Sequence, residues 1–119
     1  MKMIRVAAIA APVALTLGAG SAVAHHGWGS YDAATVLTIE GPIVEARYQY
    51  PHTSIFLDHD GKRWEIVLAP PSRMDRRGIP DGELAPGVTV TVEGYPSTAH
   101  DAELRAERIT VNGRTVELR

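Results

Sequence analysis

From Leu37 to the C-terminus, apolar and polar residues alternate in short stretches, the period of two that belongs to half-buried strands. Leu37, Ile39 and Gly41 share one parity, while Val44, Ala46, Tyr48 and Tyr50 share the other. This predicts one long strand whose inward face changes at Gly41-Pro42, where a bulge or sharp bend belongs. His52 to His59 and Lys62 to Leu68 flank Asp60-Gly61, a two-residue hairpin signal because both turn positions need positive φ. Counting back from the turn pairs Leu57 with Trp64, Ile55 with Ile66 and Thr53 with Leu68 on a core face. Asp58 with Arg63 and Phe56 with Glu65 then fall on a mainly solvated face.

Ala69-Pro70-Pro71 ends that strand, and Ser72-x-x-Asp75 reads as a capping box opening a short helix that stops at Gly78. Val88, Val90 and Val92 alternate with Thr89, Thr91 and Glu93 as a further strand, which Gly94-Tyr95-Pro96 terminates. Leu104 to Val111 and Arg114 to Leu118 enclose Asn112-Gly113, a second hairpin turn with Ile109 opposite Val116. The order is a long bent strand, a hairpin, a helix, a fourth strand and a final hairpin. It predicts a mainly all-β chain, a small OB-like antiparallel barrel of five to six strands with one short helix between strands 3 and 4.

The first 24 residues break this pattern. Their only charges are Lys2 and Arg5, followed by an apolar run from Val6 to Leu17 that is too short to span a bilayer, and by Ala22-Val23-Ala24. The expectation is a cleavable signal peptide over 1–24 and a periplasmic location with no membrane span after processing. A His-containing arm then covers 25–36 and the barrel domain 37–119. The whole chain has 119 residues and a net charge of −2. Beyond Ala24 all 14 acidic residues remain against 10 basic ones, an acidic balance that argues against nucleic acid as a partner. With no cysteine, disulfides and thiolate metal sites are excluded.

Particular motifs resemble a family of short exported bacterial proteins of unknown function whose mature chains begin with two histidines. They are His25-His26-Gly27-Trp28 with Tyr31-Asp32, Pro51-His52, Trp64-Glu65, Arg76-Arg77-Gly78 and Gly87-x-x-Val90-x-Val92-x-Gly94. Tyr50 and Ile79 stand where that family usually has Asn and Trp. The resemblance supports the boundaries and the fold and implies no activity.

Cleavage after Ala24 would make His25 the first residue, able to offer its α-amine and its imidazole to one metal ion, in the manner of the histidine brace of copper enzymes. Nitrogen ligands without thiolate favour Cu(II) by affinity order. The candidate metal ligands are therefore His25, His26 and His52, with His100 as a less favoured alternative, and the expected ion is copper (Cu2+) or another transition metal, with Zn(II) and Ni(II) as competitors. His59, beside its turn, reads as solvated. Arg73, Arg76 and Arg77 fall on one side of the short helix and form a candidate anion site. Trp28, Tyr31, Tyr48, Tyr50 and Phe56 could form an aromatic ligand surface, or serve to pack the arm onto the barrel. No nucleophile elbow, zinc-protease helix or phosphate loop is present, so binding is expected rather than catalysis. The main alternative is a metal-free OB-like interaction module for a peptide, a glycan or an anionic envelope ligand.

Overall fold

The structure, a computed structural model, describes residues 28–119. It contains strands β1 (Leu37–Arg47), β2 (Ser54–His59), β3 (Lys62–Val67), β4 (Thr89–Pro96), β5 (Glu103–Val111) and β6 (Arg114–Glu117). One helix, α1 (Pro71–Arg76), lies between β3 and β4. The strands form a single sheet in the order β3-β2-β1-β4-β5-β6, and a further pairing of β3 with β5 closes five of them into an OB-like barrel. That closing pair is parallel, whereas all the others are antiparallel. Hairpin patterns specify neighbours along the chain and are silent on this seam.

The two hairpins follow their turns. Asp60 and Gly61 take φ of 49° and 73°, and Asn112 and Gly113 take 51° and 74°. The register then places Leu57 opposite Trp64, Ile55 opposite Ile66 and Ile109 opposite Val116, as the sequence predicts. Strand β2 begins at Ser54 rather than His52, although Leu68 N–H still donates to Thr53 O at 2.8 Å.

The bend in β1 differs from expectation. Inward parity runs unbroken through Ile39, Gly41 and Ile43, and the register slips between Ile43 and Glu45, leaving Val44 unopposed and 36% exposed. The bulge serves the change of partner: β1 pairs with β4 through Pro42 and with β2 from Ile43 onward. One extra residue turns the strand between these two neighbours and brings Ala46 and Tyr48 inward.

The helix also starts differently. Pro70 is the N-cap and makes no side-chain cap, so Ser72 does not form the expected capping box. Pro71 supplies a preset φ and has no N–H to satisfy, which removes the need for a serine cap. Gly78, at φ 91°, ends the helix, and Ile79 N–H donates to Met74 O at 2.9 Å. Met74 and Ile79 cap the core of Ile39, Ile55, Leu57, Ile66, Val92, Leu104 and Ile109.

Strand β4 runs through Gly94 to Pro96 instead of ending there, because β5 carries a bulge at Glu107 that keeps the two strands paired to Pro96↔Leu104. At Gly94 the strands are so close that a Cβ would sit 2.0 Å from Arg105 O. Replacing Gly94 with alanine is therefore expected to destabilise the fold by about 3 kcal/mol, as overpacking does. Thr89→Ala, at an exposed position of the same strand, is expected to stay within about 0.5 kcal/mol. Urea denaturation of both variants checks the contrast.

Candidate functional site

The segment before β1 is laid onto the barrel by hydrogen bonds to the end of β4. Tyr31 bridges Ser97, Asp32 N–H donates to Pro96 O at 2.9 Å, and Thr98 N–H donates to Ser30 O at 2.9 Å. Asp32 holds the following turn by accepting from Ala34 N–H and the Thr35 hydroxyl, contacts that lower its pKa. Trp28 anchors the strap. Its ring lies edge-on to Tyr95 at 5.8 Å, and the guanidinium groups of Arg105 and Arg119 lie 4.9 and 4.7 Å from its centroid.

Beside this strap is a cleft of about 420 Å³, bounded by Tyr31 of the arm, His52 of the β1–β2 loop, Glu65 of β3, His100 of the β4–β5 loop, and Glu103 and Arg105 of β5. A neighbouring groove of about 510 Å³ shares Glu65, His100 and Glu103 and continues past Phe56. OB barrels use this face, on strands 2 and 3 between the loops that follow strands 1 and 4, to hold extended ligands.

Arg105 lies at the centre of the cleft's polar contacts. It is 8% exposed, covered by the arm, and its Nη1 lies 3.4 Å from His52 Nε2. Burial pushes its pKa below the ordinary arginine range, without removing its charge. The described residues hold all 14 carboxylate side chains of the sequence, and none of them forms an ion pair with Arg105. Glu65 and Glu103 are partnered directly across the β3–β5 seam, and no ion pair among the described residues includes either. Glu103 accepts a hydrogen bond from the Tyr31 hydroxyl at 3.0 Å, and Glu65 accepts one from Ser54 at 3.4 Å.

Of the sequence-derived candidates, His52 and His100 therefore share one cleft, with His52 half-buried and His100 exposed. His25 and His26 lie outside the described residues, as do the expected signal peptide and its cleavage site. Among the described residues, no group of three or more His, Asp or Glu side chains is arranged to hold a metal ion. His59 is half-buried, with its ring edge-on to Trp64 at 6.2 Å and Nε2 at 3.3 Å from Asp60. Two of the three helix arginines face the chain's own C-terminal backbone. Arg73 donates to Leu118 O at 3.3 Å and Arg77 to Arg119 O at 3.1 Å, while Arg76 turns back onto Ser72 O at 3.4 Å. The aromatic residues divide similarly. Trp28 and Tyr31 fasten the arm, Tyr48 donates its hydroxyl toward Pro71 O and Ile79 O, and Tyr50 stands 83% exposed.

Arg105, Glu103 and Glu65 are the site residues that the sequence reading missed. One signal was present. Leu104 and Ala106 face the core on one parity and Ile109 and Val111 on the other, so a bulge in β5 was legible, but the arm that buries Arg105 was not.

This is a small, strapped OB-like barrel with a charged cleft on its β3–β5 seam. The chain belongs to a family of unknown function, DUF6152, whose model matches residues 13–105 and so includes every cleft residue named above. A comparison with curated proteins found no match. No helix among the described residues is long and apolar enough to cross a membrane.

Tyr31 offers a direct probe of the strap. Burial first, and then the Glu103 carboxylate, push its pKa up from 10.0 to about 12, with Arg105 pulling the other way. The neutral phenol is the form the fold favours, so its contribution is complete below the ordinary tyrosine pKa and is lost as pH rises through about 12. Ultraviolet titration is expected to show a late-ionising tyrosine near pH 12 that Tyr31→Phe removes.

Proposed function

We propose that the protein is an exported, periplasmic metal-binding protein that acts in metal handling rather than turnover. In this reading, cleavage after Ala24 frees the α-amine of His25. That amine and the His25 imidazole hold Cu(II) together with His52, and His26 or His100 supplies a further imidazole. The observation that carries the reading is the docking of Trp28–Ser30 and Tyr31 beside the cleft bounded by His52 and His100. Three residues of extended chain reach about 11 Å at most, so a terminus at His25 stays close to the anchored Trp28. Arg105 competes for His52, because a guanidinium has only donors and its contact at 3.4 Å is with Nε2. A metal ion held at that nitrogen would displace the guanidinium.

Calorimetric titration with Cu(II) tests the proposal. Protein beginning at His25 is expected to bind one equivalent at least tenfold more tightly than a form carrying one additional N-terminal residue, and His52→Ala to weaken binding similarly. Binding is expected to weaken as pH falls through the imidazole range, because protons compete for the ligands. Equal, weak binding by both forms overturns the brace.

The buried Arg105, which forms no ion pair with a carboxylate, favours a second reading: a metal-free module whose cleft takes a peptide, a glycan or an anionic envelope ligand.

A further inference from the structure

We propose that the cleft binds a short peptide zwitterion, with its carboxylate on Arg105 and its ammonium against Glu65 and Glu103. The inference sharpens the metal-free reading and is independent of the histidine brace. It starts from two costs within the fold. A guanidinium that is 8% exposed and forms no ion pair with any carboxylate of the chain has given up much of its hydration, and the Glu103 charge attracts it only from beyond contact distance. Two carboxylates directly opposite on neighbouring strands repel each other, and Glu65↔Glu103 is such a pair. An anion relieves the first and a cation the second. Both sets of groups line the same cleft, so one ligand carrying both charges relieves the two together.

The spacing sets the size of the ligand. Glu103 and Arg105 are two residues apart on one face of β5, a separation of about 7 Å along a strand. The two charged ends of a dipeptide are separated by a comparable stretch of extended chain. A cleft of about 420 Å³ lies within the range that holds small ligands. Arginine suits the carboxylate end because its planar fork meets both oxygens. The hydrogen bond from Tyr31 occupies one acceptor position of Glu103 and leaves others for an ammonium. The half-buried His52, in contact with Arg105, fixes where the guanidinium points.

Titration of metal-stripped protein with alanyl-alanine, N-acetyl-alanyl-alanine and alanyl-alanine amide, followed by amide chemical shifts, distinguishes the contributions of the two ends. The free dipeptide is expected to saturate shifts at Glu65, Glu103 and Arg105, and blocking either end is expected to weaken binding at least tenfold. Glu65→Gln is expected to weaken the free dipeptide while leaving the N-acetyl form unchanged or tighter. Arg105→Gln is expected to abolish binding of both. Because Arg105 is buried, Glu65→Gln on the cleft wall keeps the test decisive should Arg105→Gln fail to fold. Equal binding of the free and N-acetyl dipeptides overturns the zwitterion proposal and leaves a simple anion site. No saturable binding by any of the three overturns the zwitterion together with the metal-free peptide reading.

Discussion

Three residue pairs, Glu65↔Glu103, Ile66↔Leu104 and Val67↔Arg105, join β3 to β5 and turn an open sheet into a barrel. The middle pair faces inward, where Ile66 and Leu104 are fully buried and help join the two ends of the core. The outer pairs carry the polar groups of the cleft. Closure of the barrel and assembly of the site therefore rest on the same short seam. The bulge at Val44 lets β1 change neighbours, and the bulge at Glu107 lets β4 stay paired down to Leu104. Gly94 permits the strand approach that this geometry requires.

The arm acts on that seam from outside. Residue 105 points away from the barrel interior, and a guanidinium there would ordinarily be hydrated. Trp28 covers it, and Tyr31 reaches the neighbouring Glu103. The strap thus converts a surface charge into a buried one and gives the cleft a wall. Burial strengthens the electrostatic contacts that remain, because less water screens them. The proposed metal site at His52 and the proposed charged-ligand site at Arg105 would both depend on this covering.

Local features were legible in the chain wherever one residue dictates backbone geometry. Asp60-Gly61 and Asn112-Gly113 determine both hairpin registers, and the alternation of valines from Val88 to Val92 marks the inner face of β4. The order of elements was enough to indicate an OB-like barrel. Signals with two physical solutions were less secure. Gly41-Pro42 looked like the bend of β1, yet the slip falls at Val44, where the partner strand changes. Ser72 looked like a cap, yet Pro71 starts the helix without one. The spacing of Arg73, Arg76 and Arg77 marks a candidate anion site, and it carries no sign that Arg73 and Arg77 also donate to the C-terminal backbone. Of the site, His52 and His100 could be named in advance because their chemistry is intrinsic. Arg105, Glu65 and Glu103 could not, since their importance comes from a parallel pairing and an arm contact between residues distant in sequence.

In the proposed brace, the anchored Trp28 would tie a chain end at His25 to the β3–β5 cleft. Electron paramagnetic resonance of Cu(II)-loaded protein beginning at His25 tests it most directly. A single copper species is expected, with a nitrogen hyperfine pattern that loses a contribution in His52→Ala and is disrupted by Trp28→Ala, which releases the strap. Identical spectra from all three proteins would contradict it.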